Sequence, residues 1–228
     1  FNIITMAQTK TVEIRILQTS DVHGSFFPYD FITLKPAEGS MARVSSYVKK
    51  LRKTYGNNLL LFDNGDILQG QPTCYYCNYI KPSMPNVAAS VINYMGYDAQ
   101  TVGNHDIETG HAVYDKWINE VECPMLGANV ISTSTGKPHL KPYDDMTESA
   151  KFWIEYIKTK EHPDVIVGLF HSGWEGGIKT DKYEENASLR IAKEVPGFDL
   201  ILYGHDHKSH KEVVNNALGT TLCLNPSS

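Results

Sequence analysis

The alternation of short apolar runs with amphipathic segments is the feature that most constrains the fold of this chain. The runs "NLLLFD", "DVIVGLF" and "FDLILYG" are almost continuously apolar, as strands buried on both faces of a sheet are. Apolar residues at helical spacing follow the first strand, from the candidate N-cap Ser40 to Gly56. This alternation predicts an α/β fold in which helices cover the faces of the sheet.

Strands and helices can be assigned in chain order from these patterns. Residues 1–10 read as a tail or a remnant of a signal or expression sequence, and residues 11–228 read as one domain. Within the helix near 147–160, we expect an inner side formed by Phe152, Ile154, Tyr156 and Ile157. The predicted elements are strand 11–19, helix 40–56, strand 58–63, helix 86–96, strand 98–102, helix 111–121, an apolar run at 124–131, helix 147–160, strand 164–170, helix 185–194, strand 198–204 and a hairpin at 211–224.

Composition excludes two classes of partner. The formal charge is -5, with 21 Lys and Arg against 26 Asp and Glu, so the chain lacks the basic surface that binds nucleic-acid backbones or anionic membranes. No apolar run approaches the ~20 residues that span a bilayer. We therefore expect no nucleic-acid polymer as partner and no membrane span. The start at Phe1 rather than Met suggests processing and export.

The four cysteines are expected to be structural. "CYYC" has the spacing of a redox or metal pair, but the chain has no second pair to complete a four-cysteine zinc site. Cys123 and Cys223 lie within apolar runs, where a free cysteine behaves as a small hydrophobe. We assign none of the cysteines a catalytic role.

Polar clusters follow five of the apolar strands. Because the carboxyl ends of parallel strands form a crevice at one edge of a sheet, the five loops should converge there. The clusters are "SDVHG", "DNGDILQG", "GNHDIETG", "FHSGWEGG" and "GHDH".

These loops carry enough oxygen and nitrogen donors for two metal ions. Imidazole and carboxylate without thiolate suit catalytic Zn, Mn, Fe or Ni, whereas Mg alone would prefer fewer imidazoles. Asp21 and His23 would point the same way at period two, as would His205 and His207. Asp66 is a candidate bridge, because a carboxylate can hold two cations ~3.5–4 Å apart. The donors are Asp21, His23, Asp66, Asn104, His105, His171, His205 and His207.

Other polar residues in or near these loops are expected to be structural or exposed. By parity Asp63 faces away from Asp66, and Asp206 is out of phase with its flanking histidines. The histidines expected on the solvated surface are His111, His139, His162 and His210.

Signatures of competing chemistries are absent from the sequence. It contains no G-x-x-x-x-G-K-[ST] loop, no G-x-G-x-x-G after the first strand and no G-x-S-x-G elbow. A water held between two metals is then the simplest nucleophile, since its pKa falls from ~15.7 to near 7.

The ordered motifs D-x-H, GD, GNH, H and GHDH resemble those of the calcineurin-like metallophosphatase superfamily. Within it, "LQTSDVHG", "NGDILQGQP", "VGNHDIETG" and "LYGHDH" are similar to the N-terminal catalytic domain of the 5′-nucleotidase and 2′,3′-cyclic-nucleotide 2′-phosphodiesterase family. The similarity runs from about Val12 to Pro226. It implies a four-layer α/β/β/α metallophosphatase sandwich with mixed sheets, which the apolar pattern alone does not specify.

The resemblance also implies a role for each donor. His105 resembles the family's transition-state histidine, which stabilises phosphoryl oxygens or assists the leaving group. The cofactors would be two divalent ions, with Zn, Mn, Fe, Ni and Mg all open, and they would add the local positive charge that an acidic chain lacks. One ion would be held by Asp21, His23, Asp66 and His207, and the other by Asp66, Asn104, His171 and His205.

The sequence departs from the family pattern at three places. Many relatives have Asp three residues after the histidine, whereas this chain has Glu108, so either Asp106 or Glu108 is expected to orient His105. A strand of the type G-x-K-x-A-V-x-G is missing before the helix that begins near Thr147, and we infer that a segment near 144–147 has been lost or left out. The family's C-terminal domain, with its aromatic clamp on the base, is absent beyond Ser228.

The resemblance implies hydrolysis of nucleotide phosphate esters, 5′-nucleotides or 2′,3′-cyclic nucleotides, by a metal-bridging hydroxide. The substrate would be a nucleotide or nucleoside phosphate, and the location periplasmic or at the cell surface. Two alternatives stay open: another metallophosphoesterase, such as a UDP-sugar hydrolase or general phosphomonoesterase, and a truncated domain that binds metal or nucleotide without turnover.

Overall fold

A computed structural model describes residues 11–127, 145–180 and 183–226 of the 228-residue chain. The strands among these residues are β1 (Arg15–Thr19), β2 (Tyr29–Asp30), β3 (Lys35–Pro36), β4 (Leu59–Asp63), β5 (Ala99–Thr101), β6 (Met125–Leu126), β7 (Val167–Phe170), β8 (Leu200–Tyr203), β9 (His210–Asn216) and β10 (Gly219–Asn225). The α-helices are α1 (Met41–Tyr55), α2 (Pro72–Tyr75), α3 (Val87–Met95), α4 (Asn104–Ile107), α5 (His111–Glu120), α6 (Met146–Lys160) and α7 (Ser188–Glu194).

The first half of the chain builds a parallel sheet with the strand order β1-β4-β5-β6. Its outer face is covered by α1, α3 and α5. Val48 of α1, Ile92 of α3 and Trp117 of α5 are fully buried with Leu61 of β4 in one apolar cluster. This cluster is the core of the first half.

The second half builds a mixed sheet with the order β7-β8-β10-β9. Strands β7, β8 and β10 are parallel, and β9 returns antiparallel to β10 as the predicted hairpin. A second apolar cluster joins Ile154 of α6 and Ile191 of α7 to Ile201 and Cys223 of the sheet. Each sheet therefore has its own core and its own helices.

The two sheets are joined by side-chain hydrogen bonds between their facing strands. Gln18 Nε2 donates to the carbonyl of Tyr203 at 2.9 Å. Asn64 Nδ2, just after β4, donates to the carbonyls of Phe170 at 3.1 Å and Leu202 at 2.8 Å. Helices lie outside and sheets inside, so the architecture is the four-layer α/β/β/α sandwich that the resemblance implied.

Helix ends follow the capping residues seen in the sequence. The Ser40 side chain accepts a hydrogen bond from Arg43 N at the start of α1, and Asn86 does the same for Ala89 N at the start of α3. Gly96 ends α3 in the left-handed conformation, where glycine has no Cβ to clash. These boundaries were predicted because short-range chemistry determines them.

Two expectations about elements are wrong in detail. Strand β1 begins at Arg15 rather than near residue 11. Tyr156 was expected on the inner side of α6 but is 43% exposed, because it lies two positions, or about 200° of helix rotation, from buried Ile154. Ile157 does pack on the core from a partly buried position. The end of the apolar run at 124–131 and most of the segment adjoining the inferred missing strand lie outside the described residues.

Candidate metal centre

The carboxyl ends of five strands converge, and the donor side chains that follow them form two groups. One group, which we name the Asp21 group, follows β1 and β8. The other, the Asp66 group, follows β4, β7 and β8. Within each group the donor atoms all lie within 4.8 Å of one another. The Asp21 group is Asp21, His23 and His207, and the Asp66 group is Asp66, His171 and His205.

In the Asp21 group, two imidazoles and one carboxylate approach a common point. His23 Nε2 lies 3.4 Å from His207 Nε2, and the two rings stack with centroids 5.2 Å apart. His207 Nε2 lies 3.5 Å from Asp21 Oδ1. Convergence of two ring nitrogens and a carboxylate oxygen is typical of a cation site.

In the Asp66 group, the carboxylate lies between the two halves of the centre. Asp66 Oδ2 is 3.0 Å from His171 Nε2 and 4.0 Å from His23 Nε2 of the other group. The amide oxygen of Asn104 lies 3.2 Å from His171 Nε2, which adds a neutral oxygen donor. The geometry is that expected of a bridging carboxylate, and all seven predicted ligands are together.

The outward nitrogens of two ligand rings are already occupied. His23 Nδ1 lies 3.1 Å from the carbonyl of Gln69, and His171 Nδ1 lies 2.7 Å from the carbonyl of Asn64. A carbonyl can only accept, so each Nδ1 carries a proton, and Nε2 is the nitrogen through which the neutral ring would bind a cation. The donor set and its orientation therefore fit divalent metal.

The ligand loops have unusual backbone geometry. Positive φ occurs at seven non-glycine residues in the described part of the chain, and five of them are predicted ligands. Each such residue costs on the order of 1–3 kcal/mol, and such strain clusters at functional sites. The five are Asp21 (52°), His23 (47°), Asp66 (60°), His205 (83°) and His207 (53°).

These angles correct the reasoning behind two predicted pairs. Asp21 and His23 were paired on the alternation of an extended strand, and so were His205 and His207. Both pairs do converge, but the backbone at all four residues is left-handed rather than extended. Hydrogen bonds hold the turns, for example from Asp21 N to Gly65 O at 3.0 Å and from His23 N to Asp66 O at 2.8 Å.

The ionisation of Asp66, which is buried, is coupled to that of His171, whose side chain is 5% exposed. Burial alone would lower the pKa of His171, but the hydrogen bond and negative charge of Asp66 raise it to about 9. Burial likewise opposes ionisation of Asp66, yet the His171 hydrogen bond brings the pKa of Asp66 below its usual value. In the metal-free chain an ion pair therefore joins the two side chains. A cation would bind here in exchange for the proton on His171 Nε2.

His105 lies beside the ligands but is directed towards solvent. Its backbone N–H donates to Asp66 Oδ1 at 2.9 Å, and its ring centroid is 5.3 Å from that of His23. His105 Nδ1 is 2.8 Å from Glu108 Oε2, and the His105 side chain is 39% exposed. The imidazole is therefore accessible from the open side of the two donor groups.

Asp106 does not contact the His105 ring, so the expectation that it could orient this ring is wrong. Its buried carboxylate instead accepts four backbone N–H groups, because it lies under the loop that carries Asp66. Burial raises the pKa of Asp106, and these donors oppose that shift. The donors are the N–H groups of Asp66, Ile67, Leu68 and Gly103, at 2.7 to 2.9 Å.

Glu185 was missed by sequence reasoning. Its Oε1 lies 3.0 Å from His205 Nε2, and the backbone N–H of Ile178, followed by His205, lowers the pKa of Glu185. It belongs to neither a strand end nor a motif, since it lies in the segment that precedes α7. No signal in the sequence singles it out from the neighbouring Glu184.

The residues expected to be structural can be compared in the same way. Asp63 is buried and accepts hydrogen bonds from Thr19 Oγ1 at 2.7 Å and Gly65 N at 3.1 Å. Asp206 accepts from Trp174 N at 3.0 Å and from Asn225 Nδ2 at 2.6 Å. Both carboxylates therefore have structural partners, as predicted.

The prediction that certain histidines lie on the solvated surface is confirmed for some of these residues but not for all. His111 and His162 are exposed, and His139 lies outside the described residues. His210 is not simply solvated, because its Nδ1 lies 2.5 Å from Tyr203 Oη and its ring packs 4.5 Å from that of Trp174. The four cysteines, all in described regions, are unpaired thiols.

Comparison with known proteins agrees with the fold and the motifs. The model of the calcineurin-like phosphoesterase family matches residues 14–209, and the chain belongs to that family. A 2′,3′-cyclic-nucleotide 2′-phosphodiesterase/3′-nucleotidase of Yersinia enterocolitica is 28% identical, over 88% of this chain and 37% of that protein. A 5′-nucleotidase of Vibrio cholerae is 27% identical, over 87% of this chain and 41% of that protein.

A solved structure shows the same architecture. The calcineurin-like phosphoesterase YfkN from Bacillus subtilis superposes with a TM-score of 0.80 at 26% identity, over 94% of this chain and 81% of that one.

The chain spans about two fifths of the length of the two curated relatives named above. Among the described residues, no helix is long and apolar enough to cross a membrane.

Proposed function

We propose that this chain hydrolyses phosphate esters of nucleotides with the help of two divalent cations. The observation that carries the proposal is the position of Asp66, which lies 3.0 Å from a ligand of one donor group and 4.0 Å from a ligand of the other. A carboxylate so placed can hold two cations side by side. A catalytic histidine, His105, lies next to it.

Each cation would be held by residues from both sheets. When bound, the two cations would polarise the phosphoryl oxygens and lower the pKa of a water molecule from ~15.7 towards 7. Nitrogen and carboxylate ligands fit Zn, Mn, Fe, Ni or Mg. One cation would take Asp21, His23, Asp66 and His207, and the other would take Asp66, Asn104, His171 and His205.

His105 supplies the proton that the reaction needs. The attacking water releases one proton to solvent and its oxygen forms a new P–O bond, while the bond to the leaving oxygen breaks in line with it. Glu108 Oε2, 2.8 Å from Nδ1, keeps a proton on that nitrogen and stabilises the imidazolium. His105 Nε2 can then donate to a phosphoryl oxygen or to the departing oxygen.

Nucleotides are proposed as substrates because of the relatives. The printed names of the two curated proteins specify 5′-nucleotides, 3′-nucleotides and 2′,3′-cyclic nucleotides. A panel of AMP, 2′,3′-cyclic AMP, UDP-glucose and an aryl phosphate would test this. Preference for AMP or the cyclic ester supports the proposal, whereas faster hydrolysis of UDP-glucose or of the aryl phosphate favours a sugar-diphosphate hydrolase or a general phosphomonoesterase.

Two substitutions separate metal binding from catalysis. Asp66→Asn should abolish the binding of both cations and turnover together. His105→Ala should lower turnover by about 10²- to 10⁴-fold, while metal content by mass spectrometry stays at the wild-type level. Full activity in the His105→Ala variant would contradict its role, and metal binding without any hydrolysis by the wild-type chain would indicate a binding domain.

We further propose an exported location, periplasmic or at the cell surface. It rests on the resemblance to the nucleotidase family rather than on a feature of the fold. Cell fractionation of the native organism with an antibody against this chain tests it, and recovery only in the cytoplasm would contradict it.

A further inference from the structure

Glu185 contacts a metal ligand without being a candidate ligand itself. Its Oε1 lies 3.0 Å from His205 Nε2. The Asp66 group contains His205 but not Glu185, so the Glu185 carboxylate lies outside the cluster of donor atoms. Glu185 is thus a neighbour of the metal centre on its outer side.

The Glu185 contact selects one nitrogen of the His205 ring. A ring nitrogen that donates to a carboxylate has no lone pair for a cation, so Nδ1 is the atom of His205 left for the centre. His23 and His171 have the opposite arrangement, with Nδ1 directed at the carbonyls of Gln69 and Asn64. His205 therefore differs from these ligands in both its facing nitrogen and the charge of its partner.

Hydrogen bonds fix both the carboxylate and the backbone of Glu185. Glu185 Oε2 accepts from Ile178 N at 2.7 Å, and Glu185 N donates to Ile178 O at 2.9 Å. The carbonyl of Glu185 accepts from Ser172 Oγ at 2.8 Å, directly after the ligand His171. The carboxylate is therefore fixed to the same loop that carries another ligand.

We propose that Glu185 is a positioning residue for metal binding, which holds His205 with its proton on Nε2 and its Nδ1 towards the Asp66 group. This inference rests on the proposed function, because it presupposes that the Asp66 group binds a cation. A partner of this kind orients the ring and raises its basicity, and its loss lowers metal affinity by about 10- to 100-fold. Binding by the Asp21 group should change much less.

Replacement by glutamine tests the tautomer directly. A carboxylate offers an acceptor to both Ile178 N–H and His205 Nε2–H, whereas an amide has one oxygen and one NH₂. If the amide oxygen stays with Ile178 N–H, the NH₂ faces His205 Nε2 and moves the ring proton to Nδ1. Glu185→Gln should then block the nitrogen that faces the cation.

Calorimetric titration of the metal-free chain with Mn²⁺ provides the first measurement. In the Glu185→Gln variant, one of the two binding events should weaken by about 10- to 100-fold. Glu184→Gln is the matched control: it removes the same charge one residue away, but its carboxylate pairs with Lys179 and Arg190. This control should retain both affinities within about twofold, with circular dichroism confirming the fold of each variant.

Nitrogen-15 imidazole spectra of the zinc-loaded wild-type chain provide a second measurement that needs no variant. His205 should be protonated on Nε2, and His23 and His171 on Nδ1. Wild-type affinities in Glu185→Gln, or a proton on Nδ1 of His205, would overturn the inference while leaving the proposed function intact. Failure of the wild-type chain to bind any divalent cation would overturn both.

Discussion

Glu108 and His105 form the carboxylate–imidazole pair of the site, with Oε2 and Nδ1 2.8 Å apart at its open side. Asp106, one residue from the histidine, is buried beneath the loop instead. Positions three apart on a helical turn share a face, whereas adjacent positions diverge by about 100°. The short helix α4 therefore decides which of the two carboxylates can act on the ring.

Glu108→Gln should lower turnover by roughly tenfold, less than the loss of His105 itself. The glutamine oxygen can still accept from Nδ1, but it lacks the charge that stabilises the imidazolium. Steady-state hydrolysis of AMP with Mn²⁺ measures the effect. Glu148→Gln is a suitable control, because Glu148 is a similarly exposed glutamate with its own cation three residues away, Lys151. Equal rates for the two variants would argue against the pair.

Asp106→Asn should destabilise the fold by about 2–4 kcal/mol. An asparagine keeps one oxygen for two of the four backbone donors but turns an NH₂ towards the other two. Urea unfolding in the presence of a chelator, followed by tryptophan fluorescence, measures this. Asp98→Asn should cost far less, because Asp98 is exposed and is bonded to a single backbone donor, Leu61 N. Similar midpoints for the two variants would contradict the role given to Asp106.

Asp63 should make stability fall as the pH rises from about 4 to 7. Burial raises its pKa from 3.8 to about 7, so the folded state holds a proton that the unfolded state has released. The contribution of Asp63 to the unfolding free energy therefore decreases across this window and is constant above it, with a total change of about 4 kcal/mol. Below pH 4 both states are protonated, and the difference vanishes.

Asp63→Asn should remove this component. Asparagine can accept from Gly65 N and donate to Thr19 Oγ1, as protonated Asp63 would, and the Thr19 hydroxyl can turn to Tyr97 Oη at 2.8 Å. Unfolding free energies of the metal-free wild type and variant at pH 4 and pH 8 give the comparison. A variant whose stability changes with pH as steeply as that of the wild type would contradict the assignment.

Removal of divalent cations should lower the melting temperature. A ligand that binds only the folded state stabilises it by about 4 kcal/mol at 1,000 times its Kd. Calorimetric scans with and without a chelator measure the shift. Asp66→Asn, which lacks the shared carboxylate, should be almost insensitive to the chelator. A wild-type melting temperature that neither a chelator nor added Mn²⁺ changes would contradict metal binding.

The sequence predicts most of the fold because most of it is determined locally. Ser40 and Asn86 cap α1 and α3, and continuous apolar runs mark β4, β7 and β8. The predicted ligands are recognisable because each follows a strand. The way in which they are brought together cannot be recognised from the sequence, because the left-handed turns at Asp21 and His205 depend on hydrogen bonds between distant loops.

Residues that act from outside these motifs are harder to predict. Glu185 contacts His205, which lies 20 positions later in the sequence. The residue before it, Glu184, forms an antiparallel bridge with Lys179. Adjacent Glu184 has the same chemistry but pairs with Arg190. Periodicity cannot distinguish the two, because the choice depends on tertiary contacts.

Each donor group takes residues from both sheets. Asp21 and His23 follow a strand of the first sheet and His207 follows one of the second, and the Asp66 group is divided in the same way. Neither half of the chain holds a complete group, so a cation would be captured only after the two halves have docked. Metal binding would then require that the two halves are correctly docked, and it would couple them into one cooperative unit of unfolding.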